Sequence, residues 1–241
     1  MTIIDSIKTS MLVPIHSAGI PFIAIFVILT VIMGWFWSPL YFFGLVLTIW
    51  CIYFFRNPVR VTPILSGTNK NNLIISPADG RVIEISKITP DEDIGLPVGN
   101  WTRVCVFMNV FDVHVNRSPM SGKIFYKNYI PGSFFNASLD KASSENERLI
   151  LGMETENGKK IAFVQIAGLV ARRIICDVGI GSLLKAGEVF GLIRFGSRVD
   201  IYFPSDVSVM VLKGQKMIAG ETIIGDFTKS SKSVREHLDE K

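Results

Sequence analysis

Between Thr9 and Phe55 the chain carries no Asp, Glu, Lys or Arg. A water-soluble domain needs polar outer faces, so this uncharged stretch limits the fold more than any other feature. It holds two apolar arms, "IPFIAIFVILTVIMGW" from Ile20 to Trp35 and "LYFFGLVLTIWCIYFF" from Leu40 to Phe55. "WSP" at Trp37 to Pro39 separates them and supplies a turn. A helix that crosses a bilayer takes about 20 apolar residues. The first arm reaches that length once Ala18 and Gly19 are counted, and the second is shorter. The pattern predicts a hydrophobic helical hairpin that spans a bilayer or lies within one leaflet. A secretory signal is excluded, because the apolar region is too long and no small-residue cleavage site follows it. Lys8 precedes the arms, and Arg56 and Arg60 follow them. Positive charge stays on the cytoplasmic side, which predicts a cell-membrane protein with its remaining domain in the cytoplasm. Trp35, Trp37 and Tyr41 cluster at the turn, where an interfacial aromatic belt belongs.

After Arg60 the character changes. Short β-rich runs such as "RVIEI", "RVCVFM", "GKIFY", "KIAFVQIA", "RRIICDV", "EVFGLIRF", "VDIYF", "VSVMVL" and "ETIIG" alternate with Gly, Pro and Asp turns. Many closely spaced strands predict a mainly β (α+β) domain, a sandwich or partly closed barrel. The expected organisation is a membrane-associated hairpin over 1–60, a β-rich catalytic domain over 61–227 and a charged tail over 228–241. "KAGEVFGLI" (Lys185 to Ile193) and "IAGETIIG" (Ile218 to Gly225) form a weak internal repeat, each a Gly-centred turn feeding a strand. With "SPADGRVIEI" they resemble the hammerhead elements of lipoyl and biotinyl domains. Pro131 to Arg148 is polar apart from Phe134 and Phe135 and reads as a surface loop. The two phenylalanines fit either lipid contact or packing.

Composition excludes several classes. The net charge is +4, with no long Lys/Arg block, so nucleic acid is not indicated, while an anionic membrane surface suits the balance. Cys51, Cys105 and Cys176 share no metal-ligand spacing, and their odd number argues against a disulfide framework. They read as small buried hydrophobes in a reducing compartment.

Three constellations could carry chemistry. "SPADG", Ser76 to Gly80, is a turn signature whose Asp79 is structural or functional on the motif alone. "NVFDVHVNRSPMSG", Asn109 to Gly122, contains His114. His16 lies at the membrane arm and His237 in the tail, so His114 is the one histidine the β domain can offer for proton transfer. The third is "GLIRFGSRVDIYF", two apolar runs separated by Gly196 and Ser197, with Arg194 and Arg198 on either side. A Gly-Ser pair there is a tight turn on ordinary grounds. No G-x-S-x-G elbow, Walker loop, dinucleotide fingerprint or paired zinc ligands absorb these pieces. A membrane-tethered β domain with one serine, one histidine and one aspartate as candidates but no cofactor motif is compatible with a cofactor made from the chain itself.

With these motifs in view, the chain resembles the phosphatidylserine decarboxylases, in their short bacterial and archaeal form. The resemblance rests on "FFRNPVR" (Phe54 to Arg60), "SPADGRV" (Ser76 to Val82), "NVFDVHVNRSP" (Asn109 to Pro119), "VQIAGLVARRI" (Val164 to Ile174) and "IRFGSRVDIYFP" (Ile193 to Pro204). It implies a proenzyme that cuts itself between Gly196 and Ser197 and converts Ser197 into a pyruvoyl cofactor, an electron sink for loss of carbon dioxide. It implies phosphatidylserine in the membrane as substrate and phosphatidylethanolamine as product. The large and small chains of one precursor would stay associated as a heterodimer, and a higher oligomer is compatible with that. Asp79 matches an aspartate linked to self-cleavage. His114 matches the first histidine of a D-x-H-x-x-H segment, and Arg117 stands where longer relatives place the second. An arginine is no general base near neutral pH, since its pKa exceeds about 12. Arg194 and Arg198, with Arg117, Arg172 and Arg173, are candidates to bind the anionic substrate. Two rivals remain. One is a membrane-anchored lipoyl-like adaptor, for which Lys216 lacks the usual flanking residues. The other is a decarboxylase of a soluble amino acid, which would not need the apolar hairpin.

Overall fold

A computed structural model describes residues 13–63, 72–137, 145–169, 173–194 and 196–230. The apolar stretch forms two helices, Ile20–Phe36 and Ser38–Phe54, separated only by Trp37. Each has Pro in its first turn, where the missing N–H costs nothing. The side chains are distributed inside out relative to a soluble bundle. Ile25, Ile28, Val31, Phe42, Val46 and Ile49 are exposed, whereas Thr30, Thr48 and Gly44 are buried. Thr30 Oγ1 lies 3.0 Å from Thr48 Oγ1, and a Cβ on Gly44 would come within 2.9 Å of the Thr30 backbone. Small residues at the seam and apolar residues outside are the packing of helices in lipid. The first helix with its preceding turn, Ser17–Phe36, is long and apolar enough to cross a membrane; the second is shorter. Trp35, Trp37 and Tyr41 stand exposed around the turn. At the other end the two strand-like flanks are tied by His16 N–H to Phe55 C=O (2.8 Å) and Asn57 N–H to Pro14 C=O (2.6 Å).

The chain divides into two compact units. The first is Met1–Val59 with Phe111–Val115, and the second is Arg60–Val110 with Asn116–Lys241. The second holds strands β1 (Leu73–Ile75), β2 (Gly80–Ile88), β3 (Trp101–Met108), β4 (Val115–Arg117, whose first residue is counted with the first unit) and β5 (Gly122–Ile130). It continues with β6 (Arg148–Glu154), β7 (Lys160–Ala167), β8 (Ile174–Cys176), β9 (Leu183–Leu184) and β10 (Val189–Ile193). It ends with β11 (Ser197–Pro204), β12 (Val207–Val209), β13 (Lys216–Met217) and β14 (Ile223–Ser230). An eight-stranded sheet has the order β13-β2-β3-β11-β7-β6-β5-β9, and two three-stranded sheets have the orders β1-β14-β12 and β4-β10-β8. The mainly β expectation with an N-terminal apolar helical segment therefore holds.

These orders reveal a duplication that the "KAGE" and "IAGE" turns only hinted at. If β1, β2, β3, β11, β12, β13 and β14 are matched in order with β4 to β10, the eight-stranded order reads the same from either edge. The two small sheets match as well. β2 and β5 share a burial pattern and carry a bulge at the same place, between Val82 and Glu84 and between Ile124 and Tyr126. Each follows a Ser-Pro turn in which the hydroxyl donates to a carbonyl two residues on, Ser76 to Ala78 and Ser118 to Met120 (both 2.7 Å). Gly187 and Gly220, at φ +80° and +78°, close the matching turns, a backbone conformation that glycine adopts freely. The Gly187 and Gly220 N–H groups donate to Ser118 and Ser76 carbonyls (2.8 Å each).

Two elements depart from the expectation. Arg148 opens β6, inside the sheet, and Asn146 and Glu147 are already buried, so the surface loop ends before them. Residues 138–144 of that loop lie outside the described residues. Strand β14 runs to Ser230, past the expected start of the tail at 228, and 231–241 lie outside the described residues.

Candidate functional site

The Gly196–Ser197 bond sits where the chain changes sheets. Ile193, the last residue of β10, pairs with Ile174 in a three-stranded sheet. Four residues later Ser197 opens β11 in the eight-stranded sheet, between Met108 of β3 and Ala167 of β7. The two apolar runs read from the sequence are strands, but they belong to different sheets. Gly196 has φ +66°, in the left-handed region that favours glycine. Strand alternation then sends Ser197 to the face of Val199, Ile201 and Phe203, which is the main core. Ser197 is fully buried, and its Oγ has no hydrogen-bond partner among the described residues. An unpaired buried hydroxyl costs about 1–3 kcal/mol. Ser205 and Ser208 also lack a partner among the described residues, but of the three only Ser197 follows a left-handed glycine.

Asp79 lies just before Gly80, the first residue of β2. A Cβ on Gly80 would touch the Phe107 carbonyl and Met108 Cα, so Gly80 and Ser197 flank Met108 from opposite sides. Two strand spacings, about 10 Å, separate their backbones. The Asp79 carboxylate binds the Arg60 guanidinium (2.8 Å) and accepts from Ala219 N–H (2.7 Å). The duplication supplies an internal control: Ser121, its counterpart, accepts from Ala186 N–H (2.9 Å) in the same way. Holding that turn therefore needs an oxygen, not a charge. The charge of Asp79 is an addition, and Arg60 and Arg117 belong to its field; burial and Arg60 lower the Arg117 pKa, Asp79 raises it.

His114 belongs to the first unit. It is fully buried and packs on the Phe54 ring, with ring centroids 4.2 Å apart. Its Nδ1 is 3.1 Å from the Asp112 carbonyl. A carbonyl only accepts, so Nδ1 carries the proton and Nε2 keeps its lone pair. Burial, aided by the Arg56 charge, lowers the His114 pKa to about 4, against a weaker opposing effect of the Asp112 carbonyl. The imidazole is neutral at neutral pH. His16 instead caps a helical turn through Ala18 N–H, and His237 lies outside the described residues.

The arginines divide. Arg198, expected to bind substrate, is fully buried and gives Nε and Nη2 to the two carboxylate oxygens of Asp200 (2.5 and 2.8 Å). Its Nη2 also reaches Cys105 Sγ (2.9 Å), so Cys105 meets a cation as well as apolar neighbours. This guanidinium is committed to the face of the sheet opposite Ser197, because side chains alternate along β11. Arg194 is half-buried, and burial, with the Arg173 charge, lowers its pKa. Arg117 donates to the Gly187 carbonyl (2.9 Å), and Arg172 lies outside the described residues. Phe134 packs on the core and Phe135 is exposed.

Sequence reasoning overlooked two contributors. Asn146 is fully buried and donates through Nδ2 to the carbonyls of Ala167 (2.7 Å) and Phe135 (2.8 Å). Gly168 lies against the Gly196 carbonyl. Gly168 stands inside the quoted "VQIAGLVARRI", but only the pairing of β7 with β11 shows what it faces. A cleft of about 1120 Å³ is lined by Thr62, Ser121, Lys123, Glu154 and Lys185, on the Ser121 copy of the motif; Asp79 and Ser197 are not among its walls.

The family model for phosphatidylserine decarboxylase matches residues 47–225. The chain is also 53% identical over 219 residues to a phosphatidylserine decarboxylase proenzyme of Ruegeria pomeroyi, covering 91% of this chain and 98% of that protein. Both matches include the changeover from β10 to β11 and the Gly196–Ser197 bond within it. A match of this extent establishes membership: the chain belongs to the phosphatidylserine decarboxylase family.

Proposed function

We propose that this chain is made as a proenzyme, cuts itself between Gly196 and Ser197, and decarboxylates phosphatidylserine to phosphatidylethanolamine in the membrane. The observation that carries the reading is the buried Ser197 Oγ, without a partner among the described residues, next to a left-handed Gly196, in a member of this family. In self-cleavage Ser197 Oγ bonds to the Gly196 carbonyl carbon, the peptide C–N bond breaks, and the freed nitrogen takes the hydroxyl proton. The amide has become an ester. A base then removes the Ser197 Cα proton, and the ester oxygen leaves with the Gly196 carboxylate. The unsaturated residue takes up water and releases ammonia, which leaves a ketone at position 197. When formed, the pyruvoyl group supplies an electron sink for the pair released as carbon dioxide departs.

The chain's own groups fit the remaining tasks. His114 offers a neutral imidazole whose tautomer is fixed by the Asp112 carbonyl, which suits it to moving a proton. Asp79 supplies a negative charge that its turn does not need. Arg194, with Arg173 nearby, suits the carboxylate or phosphate of the substrate. Exposed Ile and Val on the hairpin would keep the enzyme in the bilayer that holds its substrate. Lys8, Arg56 and Arg60 would keep the β domain on the cytoplasmic side. After cutting, β11 would remain hydrogen-bonded between β3 and β7 of the long chain, so the two chains would not separate.

The test uses Ser197→Ala beside the parent protein, on phosphatidylserine vesicles with carbon dioxide as the readout. The parent should yield two chains and release carbon dioxide, and the variant should do neither. An uncut chain with parental activity would contradict the reading.

A further inference from the structure

Gly168 follows the last residue of β7, and its φ is not in the left-handed region, so its backbone does not require glycine. Space does. A Cβ at 168 would lie 2.1 Å from the Gly196 carbonyl oxygen and 3.0 Å from its carbon, with Ala137 Cβ at 3.2 Å. The bare Cα of Gly168 is therefore the surface on which the carbonyl of the Gly196–Ser197 bond rests. The same strand end holds the other half of that peptide, because Ala167 is the register partner of Ser197. Asn146 fixes this strand end from behind. Its Nδ2 donates to Ala167 C=O and Phe135 C=O, and its Oδ1 accepts from Phe135 N–H (2.9 Å).

We propose that Gly168, held by Asn146, is a positioning residue for self-cleavage: it seats the Gly196 carbonyl so that Ser197 Oγ can reach its carbon. The inference rests on the self-cleavage reading and names the part of the fold that aligns it. As Oγ adds, the carbonyl carbon becomes tetrahedral and its oxygen must move within this seat. A methyl group at 168 would hold the oxygen off, since carbon and carbonyl oxygen do not approach closer than 3.0 Å; from 2.1 Å, that is a displacement of 3.0 − 2.1 = 0.9 Å. Misplacing a reacting atom by about 1 Å costs on the order of 100-fold in rate.

The experiment follows precursor and cut chains of the full-length protein in time, by denaturing gel and mass. Gly168→Ala should cut about 100-fold more slowly than the parent, by the same misplacement rule. Neutral hydroxylamine, which cleaves esters and spares amides, should leave its precursor whole, because the block precedes the ester. Two glycine controls set the scale. Gly179→Ala enters open space, and Gly122→Ala meets the Glu154 carbonyl at 2.6 Å, three strands from β11. Both should cut at the parental rate. Parental cutting in Gly168→Ala would overturn the inference, as would a Gly122→Ala defect of equal size. If Gly168→Ala does not fold, Asn146→Asp decides. It keeps the size but turns the amide donor into an acceptor facing two carbonyls, and should slow cutting at least ten-fold, with partial recovery at acid pH where a protonated carboxyl donates again. Parental cutting at neutral pH in Asn146→Asp would overturn the inference. A parent that never cuts would instead overturn the self-cleavage reading, which keeps the two failures apart.

Discussion

Ser197 and Arg198 are neighbours in sequence that face opposite sides of one sheet, and chemistry divides along that line. Ser197 faces the core with a hydroxyl that has no partner among the described residues, while Arg198 spends its charge on Asp200. Neither member of that buried pair is exposed. Removing one leaves an uncompensated charge, so Asp200→Ala should cost about 3–5 kcal/mol in chemical denaturation. Replacing both, as in Arg198→Met with Asp200→Leu, should recover most of that loss. A loss under about 1 kcal/mol in Asp200→Ala would show that the pair is not desolvated as described. His114 gives a pH signature. Its folded pKa, about 4, lies below the 6.5 of an ordinary histidine, so the unfolded chain binds the proton first. Its contribution is complete above 6.5 and is lost as pH falls toward 4. Stability should fall by about 1.4 kcal/mol per pH unit across that window. In His114→Gln this component should vanish, and an unchanged slope would mean the imidazole is hydrated. Ser197, His114 and Asp79 stand out in the sequence as candidates, from rarity and motif. Arg198 was not, because a sequence shows two nearby charges without saying which face of a strand each takes.

At the scale of elements, the hairpin and β11 carry the account. The hairpin's outward Ile and Val residues make opposite predictions in water and in lipid. Ile28→Asp and Ile32→Asp each place a charge at an exposed position. In water such changes are nearly neutral. In a bilayer each costs about 2.5–3.5 kcal/mol on insertion scales, so the double variant should leave the membrane fraction in a flotation assay. Retention equal to the parent would show that these faces do not meet lipid. The helices were legible because an uncharged run of that length has few other outcomes. Strands such as Lys160–Ala167 were legible from β-branched and aromatic runs between turns. β6 was missed for a physical reason. Its middle five residues are all buried, so it lacks alternation, and Gly152 reads as a breaker. Gly152 is in fact the space that accepts the Phe125 and Tyr126 side chains of β5, which come within 2.8 and 2.9 Å of where its Cβ would be. β9 and β13 are two residues each and give no pattern to read.

At the scale of the whole molecule, the strand orders show a duplicated β unit, and the proposed chemistry uses Asp79 and Ser197 of one copy. The sequence showed two short matching turns; the equivalence of seven strands emerged only from pairing, because side chains diverge where backbones agree. The proposed cut would fall at the changeover between copies, between β10, the last strand of one, and β11, which resumes the other. A chain severed there would keep its two parts joined through the sheets. The fragment after the cut contributes β11 to the centre of the large sheet, β13 to its edge and β12 and β14 to a small one. The most direct test is the intact mass of the purified protein under denaturing and native conditions. Under denaturing conditions the account predicts two chains, 1–196 ending in an ordinary carboxylate and 197–241, lighter than its hydrolysis product by one ammonia. Under native conditions the two should travel together. A single chain with the mass of all 241 residues and full decarboxylase activity would contradict the central claim.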